Sequence, residues 1–80
     1  MKREDDVIYY KKREAMRHIN GVMGSLYDLR RFINEMEIDL SEDTLRIISY
    51  HLSKIAQILN TLKVEKMKRE RKRQEEEETS

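Results

Sequence analysis

Hydrophobic residues in the second half of the chain recur at alternating steps of three and four positions. Between Ser41 and the charged C-terminal run they are Leu45, Ile48, Leu52, Ile55, Leu59 and Leu62. This spacing puts them on one face of an α-helix and predicts an amphipathic helix over residues 42–66. Ser41 has the side chain of a helix N-cap, and Glu42 and Asp43 suit the positive end of the helix dipole. So regular a stripe needs a second apolar stripe to cover it.

The first half of the chain carries a matching stripe. Its members are Ile8, Ala15, Ile19, Val22, Leu26, Leu29, Ile33 and Met36, and they predict a helix over residues 5–36. Asn20-Gly21 and Gly24-Ser25 are turn-forming pairs, so the alternative is a break near residue 21 and three helices in all. The stripe keeps its phase from Ile19 to Val22 and on to Leu26, which favours one unbroken or bent helix.

The predicted connection, residues 37–41, is short. Helices joined by so few residues are antiparallel neighbours, and counting back from this loop pairs Leu29 with Ile48 and Val22 with Ile55. The predicted fold class is therefore all-α, an antiparallel helical hairpin over residues 1–66. Residues 67–80 are expected to form a charged tail, which is either a solvated extension of the helix or a frayed or disordered segment. Residues 1–6 are expected to fray.

A two-helix hairpin has a small core, which rarely offsets the conformational entropy lost by about 60 ordered residues. Large apolar residues also remain outside the two stripes, among them Ile47 and Ile58. Both observations predict that two hairpins associate as a homodimeric four-helix bundle. The residues predicted to form the core and the dimer contact are Ile19, Val22, Leu26, Leu29, Ile33, Leu45, Ile48, Leu52, Ile55, Leu59 and Leu62.

Composition limits the classes of function. The 80 residues suffice for one small domain, and the absence of cysteine excludes disulfides and cysteine-ligated metals. The sequence contains neither a membrane-spanning run nor a signal peptide, so we expect a cytoplasmic protein with no membrane contact. Charged residues make up 41% of the chain although its net charge is only +1. What matters is therefore where the charges lie.

Folding the chain into a hairpin brings both basic runs to its open end and leaves acidic residues, such as Glu35 and Glu37, at the loop end. A concentrated basic surface attracts phosphate, and tyrosines within it can donate hydrogen bonds to phosphate. The alternative is a solvated helix end whose charges are balanced by nearby glutamates. The predicted nucleic-acid-binding residues are Tyr9, Tyr10, Lys11, Lys12, Arg13, Arg17, Lys66, Lys68, Arg69, Arg71, Lys72 and Arg73, while Lys2 and Arg3 add to the same end.

The sequence offers no catalytic or metal-binding pattern. The only histidines, His18 and His51, lie about 9 Å apart along the hairpin by the pairing above, too far to share a metal. Serines lack a glycine elbow, and Gly21 and Gly24 are not followed by the Lys-Ser or Lys-Thr of a phosphate-binding loop. We therefore expect no enzyme activity, no metal and no cofactor.

Residues 11–62 resemble the basic helix-loop-helix family. A basic stretch, KKREAMR, leads into the amphipathic segment INGVMGSLYDLRRFI, and after a short loop comes LSEDTLRIISYHLSKIAQIL. The resemblance implies a dimeric four-helix bundle whose basic helices enter the DNA major groove. The family's base-reading glutamate falls at Lys12 here, and of its arginines only Arg13 is matched.

Two further resemblances concern layout and one motif. In size and layout the chain is similar to small plasmid- or virus-encoded regulators that combine a basic segment with a leucine-zipper-like repeat. The small helical-hairpin phosphatases that act on aspartyl phosphate carry a Ser-Gln-Glu-Leu-Asp signature. Ser49 and Leu52 match it here, but Ser53 replaces its acid, so this activity is not expected.

The leading hypothesis is a homodimeric helical DNA-binding protein, a small transcription or copy-number regulator that binds phosphates through its basic end. The alternative is a non-enzymatic hairpin, an adaptor or antagonist, that binds a partner helix through its Met- and Ile-bearing flank.

Overall fold

In a computed structural model of the chain, residues 4–79 are described, with side chains from residue 6 to residue 76. Two helices account for nearly all of them: α1 (Glu4–Asn34) and α2 (Ile38–Thr79). They pack along their length as an antiparallel hairpin that measures 66 × 22 × 14 Å. The predicted all-α hairpin is confirmed. Neither described helix has a segment apolar and long enough to cross a membrane.

Helix α1 is continuous through both glycines, as the unbroken phase of its apolar stripe predicted. It ends two residues before the predicted Met36. Met36 has a positive φ of 60°, its amide N–H donates to the Ile33 carbonyl, and the Glu37 N–H donates to the Phe32 carbonyl. These two hydrogen bonds form a Schellman motif, which satisfies carbonyls left free at the end of the helix.

Helix α2 begins at Ile38, so the predicted loop over residues 37–41 and the predicted Ser41 cap are wrong. The Ser41 hydroxyl donates to the Glu37 carbonyl at 2.8 Å, and the Thr44 hydroxyl donates to the Leu40 carbonyl at 2.8 Å. Both are hydrogen bonds to the preceding turn of the same helix, an alternative to capping that serine and threonine share. The tighter turn shifts the pairing of the helices by about six residues.

The shifted pairing changes which residues face the other helix. The hairpin seam on α1 is the column Ile8, Lys11, Ala15, His18, Val22, Ser25, Leu29 and Phe32, and on α2 it is Ser41, Thr44, Ile48, His51, Ile55, Ile58, Leu62 and Glu65, all buried or half-buried. Both columns advance by alternating three and four residues, so the heptad period was predicted correctly. Ile58, predicted to lie outside the seam, is its most buried apolar side chain, 4% exposed.

Five of the predicted core residues, Val22, Leu29, Ile48, Ile55 and Leu62, lie in the hairpin seam. The other six, Ile19, Leu26, Ile33, Leu45, Leu52 and Leu59, point away from it and are 36 to 59% exposed. Small or polar side chains thus occupy half of the seam positions, while six large aliphatic residues lie outside the seam. Among the described residues no side chain is completely buried. The buried hydrophobic residues in the described part of the hairpin are few: Ala15, Ile48 and Ile58.

The C-terminal part of α2 extends beyond α1. Counting outward from the turn, Glu4 is level with residue 67, so about 12 residues, or about 18 Å of helix, have no α1 residue beside them. The charged tail predicted from residue 67 onward is helical in the structure, in which α2 continues to Thr79. Arg71 precedes Glu75 and Lys72 precedes Glu76 by four residues, a spacing at which opposite charges stabilise a helix locally. Lys2 and Arg3 lie outside the described residues.

Candidate nucleic-acid interface

The open end of the hairpin brings basic residues of both helices together. Lys12 of α1 and Lys66 and Arg69 of α2 line one cleft, whose floor is formed by Ile8 and Leu62. Lys12 and Lys66 are the next residues after Lys11 and Glu65 of the hairpin seam, so both face the same side of the hairpin. The predicted convergence of the two basic runs therefore holds for these three side chains.

The cleft continues along α2 as a basic ridge. Lys66, Arg69, Lys72 and Arg73 line a second depression together with Glu70 and Glu76. These residues recur every three or four positions and share one side of the extended helix. The two glutamates reduce the positive charge of the ridge but do not cancel it. We call the residues Lys12, Lys66, Arg69, Lys72 and Arg73 the basic ledge.

The basic and aromatic residues at the start of α1 form a separate surface on the outer side of that helix. Tyr9, Lys12, Arg13, Met16, Arg17 and Asn20 line a shallow depression. The Arg13 guanidinium lies 5.8 Å from the centre of the Tyr9 ring, a cation–π contact that orients both side chains. Tyr9 and Tyr10 contact each other edge to face with ring centres 5.6 Å apart. Lys12 belongs to both surfaces and joins them.

Two predicted binding residues are engaged in ion pairs along their own helices. The Lys11 ammonium lies 3.3 Å from the Glu14 carboxylate, and the Lys68 ammonium lies 3.6 Å from Glu65. Lys11 is half-buried because it belongs to the hairpin seam. Arg71 is exposed but lies outside both depressions that line the ledge. The structure therefore separates the predicted set into ledge residues and residues with other neighbours.

The sequence-based treatment of the histidines was wrong. His18 and His51 meet across the hairpin seam with their Nδ1 atoms 2.9 Å apart. Their ring centres are 5.2 Å apart, which is close to the nitrogen–nitrogen distance plus the two ring radii, so the Nδ1 atoms point at each other. One ring must donate its N–H and the other must accept it. The 9 Å separation followed from the wrong loop length.

Gly21 makes this histidine pair sterically feasible. A Cβ atom on Gly21 would lie 2.8 Å from Nε2 of His51, whereas a Cβ on Gly24 would meet nothing within 4 Å. The close neighbour of Gly21 is therefore the imidazole side chain of His51. Tyr50 contacts both imidazole rings edge to face. Among the described residues, no three His, Cys, Asp or Glu side chains are grouped so that they could hold a metal ion.

The histidine pair was missed because the predicted loop was too long and because the apolar stripes, and not the columns beside them, were assigned to the seam. The spacing carried the signal, since His18 and His51 both continue a column of alternating three- and four-residue steps.

Comparison of the chain with protein-family models, with curated proteins and with solved structures finds no match.

Proposed function

We propose that this protein is a homodimeric nucleic-acid-binding protein that contacts phosphates through its basic ledge, and that it acts as a small regulator on duplex DNA. The observation that carries the proposal is the shared cleft of Lys12, Lys66 and Arg69, in which residues 54 or more positions apart in sequence lie together. Converging cations from two rigid helices are suited to a phosphate backbone, which presents one negative charge per about 1.7 Å of duplex.

The ledge supports backbone binding more than base recognition. Its lysines and arginines lie on the side of an extended helix, and phosphate contacts fix the orientation of a protein on DNA without reading sequence. The start of α1 adds Tyr9, Arg13 and Arg17 on a neighbouring surface, where planar groups suit contacts to base edges or sugars. Arg13 and Arg17 are the residues we assign to base contacts.

The test is a gel-shift titration with duplex DNA at low and moderate salt. The variant Lys12→Ala/Lys66→Ala/Arg69→Ala removes three converging cations. Its matched control, Arg31→Ala/Arg46→Ala/Lys54→Ala, removes three cations away from the open end. If each ledge residue contacts one phosphate, the slope of log affinity against log salt becomes shallower by about 3 in the ledge variant and stays unchanged in the control.

Equal losses in the two triple variants would mean that overall charge drives binding, which contradicts a specific ledge. Absence of binding by the natural chain at low salt would refute the nucleic-acid proposal altogether.

A second function is favoured by a different observation, the exposure of large aliphatic residues along one side of the hairpin. If the chain is monomeric in solution, this surface is available to a helix of another protein, and the chain is then an adaptor or antagonist. Binding through such a surface would vary little with salt, whereas binding to phosphates weakens steeply as salt rises.

A further inference from the structure

The six outward-facing aliphatic residues form one continuous surface. The two antiparallel helices are related by an approximate two-fold axis that is perpendicular to the plane of the hairpin. This rotation exchanges the helices but leaves each face of the hairpin on its own side. Equivalent positions of the two helices therefore lie on the same face, as Lys12 and Lys66 do in their common cleft. Ile19, Leu26 and Ile33 on α1 and Leu45, Leu52 and Leu59 on α2 are equivalent in this sense, each following a seam residue. We call these six residues the apolar face.

The residues of the apolar face are arranged in layers. Counting outward from the turn, Leu26 is level with Leu45, Ile19 with Leu52, and Lys12 with Leu59. Ile33 is level with Ile38, which is also exposed. The face is thus aliphatic from the loop end to Leu59 and ends at Lys12 and Lys66, where the basic ledge begins.

The two edges of the apolar face differ in side-chain size. On α1 the neighbouring column holds the long side chains Met16, Met23 and Arg30. On α2 the corresponding column holds Glu42, Ser49 and Ala56. The α1 edge projects further at Met16 and Met23 than the α2 edge does at Ser49 and Ala56, whereas Arg30 and Glu42 are both long. The middle of the apolar face is therefore suited to a surface whose high and low edges are reversed.

We propose that a second copy of this chain covers the apolar face, with the two loops at the same end of the dimer. A two-fold axis along the length of the hairpin lays α1 of one copy over α2 of the other at the same level. Met23 then faces Ser49 of the second copy, and Met16 faces Ala56 of the second copy. Large residues meet small ones on both edges, as close packing requires.

Charge and layer matching support the same arrangement. Arg30 faces Glu42 of the second copy, an opposite-charge pair at the rim of the interface. Each aliphatic layer meets the same layer of the second copy. Lys12 lies at the end of the interface, from where its long side chain reaches solvent.

The rival dimer has its two loops at opposite ends. Its two-fold axis, perpendicular to the helices, lays α1 on α1 and α2 on α2. Whatever the alignment, the α1 edge then meets the α1 edge and the α2 edge meets the α2 edge. Bulky methionines are crowded on one side and Ser49 and Ala56 leave a gap on the other, which lowers shape complementarity.

This inference rests on the homodimer in the proposed function, and not on nucleic-acid binding. It gives that function a geometry, since the basic ledges of both copies lie at one end of the dimer. The acidic loop ends then lie together at the other end, so that a nucleic acid is bound at one end only.

The test uses cysteine cross-linking, since the natural chain contains no cysteine. Met23→Cys and Ser49→Cys variants are equilibrated together and oxidised, and the products are separated without reductant. We expect a disulfide-linked pair from this mixture and little cross-linking from either variant alone. Gln57→Cys, which lies on the opposite face of α2, serves as the control and should not cross-link to Met23→Cys.

Other outcomes overturn the inference in distinct ways. Self-linking of Ser49→Cys, or its linking to Ala56→Cys, would establish the rival dimer with loops at opposite ends. A dimer by sedimentation in which none of these cysteines link would mean that another surface is used. A monomer by sedimentation would exclude the second copy and leave the apolar face to a different protein. None of these results depends on DNA, so failure of phosphate binding would be recognised separately in the gel-shift titration.

Discussion

The two glycines of α1 differ in their surroundings, and this difference leads to a quantitative prediction. In a helix interior, alanine is more favourable than glycine by about 0.8–1.0 kcal/mol. At Gly24 nothing lies within 4 Å of the added methyl group, so Gly24→Ala should raise the free energy of unfolding by nearly that amount. Gly21→Ala has the same helix propensity gain but places its methyl 2.8 Å from Nε2 of His51.

The imidazole of His51 must move to admit this methyl group. Its Nδ1 atom is held 2.9 Å from Nδ1 of His18, so movement weakens a hydrogen bond whose net contribution is about 0.5–1.5 kcal/mol. Forcing the side chain out of its rotamer costs about 0.5–1.5 kcal/mol more. Together these costs equal or exceed the helix propensity gain. We expect Gly21→Ala to be neutral or destabilising and to fall about 1–3 kcal/mol below Gly24→Ala in stability.

Urea unfolding monitored by circular dichroism measures both variants, at one protein concentration because association adds to apparent stability. The control is a double-mutant cycle with His51→Ala, in which Gly21→Ala should regain its full stabilisation of about 0.8–1.0 kcal/mol. Equal stabilisation by both alanines in the natural background would refute the packing of His51 on Gly21.

Further predictions concern the turn and the neighbouring residues of α2. Met36→Gly should raise the free energy of unfolding by about 1 kcal/mol in urea titrations, because Met36 has a φ of 60° and an exposed side chain; no change would mean that the turn adapts to methionine without strain. Ile58→Ala should cost about 2–4 kcal/mol at any protein concentration, since Ile58 is only 4% exposed. Leu59→Ala, at a residue 59% exposed, should chiefly shift the monomer–dimer equilibrium in sedimentation. A larger loss of unfolding free energy from Leu59→Ala than from Ile58→Ala would support the seam predicted from the sequence and contradict the seam in the structure.

The two long helices and their antiparallel packing were predictable because hydrophobic period is a strong signal over 20 or more residues. The face turned toward the other helix was not. Ile48, Ile55 and Leu62 belong to two overlapping stripes, one completed by Leu45, Leu52 and Leu59 and the other by Thr44, His51 and Ile58. Hydrophobicity alone favours the stripe completed by leucines, whereas the stripe that faces α1 in the hairpin is the one completed by Thr44, His51 and Ile58. Periodicity alone does not distinguish the stripe inside the hairpin from the stripe on its outside.

The predicted helix boundaries next to the turn were wrong for local reasons. Ser41 followed by Glu42 and Asp43 has the composition of a helix start, but its hydroxyl bonds to the turn before it. The true turn is formed by Met36 in a left-handed conformation, for which glycine or asparagine is the usual residue. That error of a few residues moved the two histidines apart. The convergence of Lys12 with Lys66 was still predicted, because both lie near the open end in either pairing.

The unaccompanied stretch of α2 beyond Met67 implies two levels of backbone protection within one continuous helix. Amides paired with α1 exchange their hydrogens only when the hairpin opens, whereas amides of the extension are protected by local turns alone. Deuterium uptake should therefore rise along α2 near residue 67, without any break in the helix to mark the position. A phosphate backbone that neutralises Lys72 and Arg73 would slow exchange in this segment, so the extension would itself report binding.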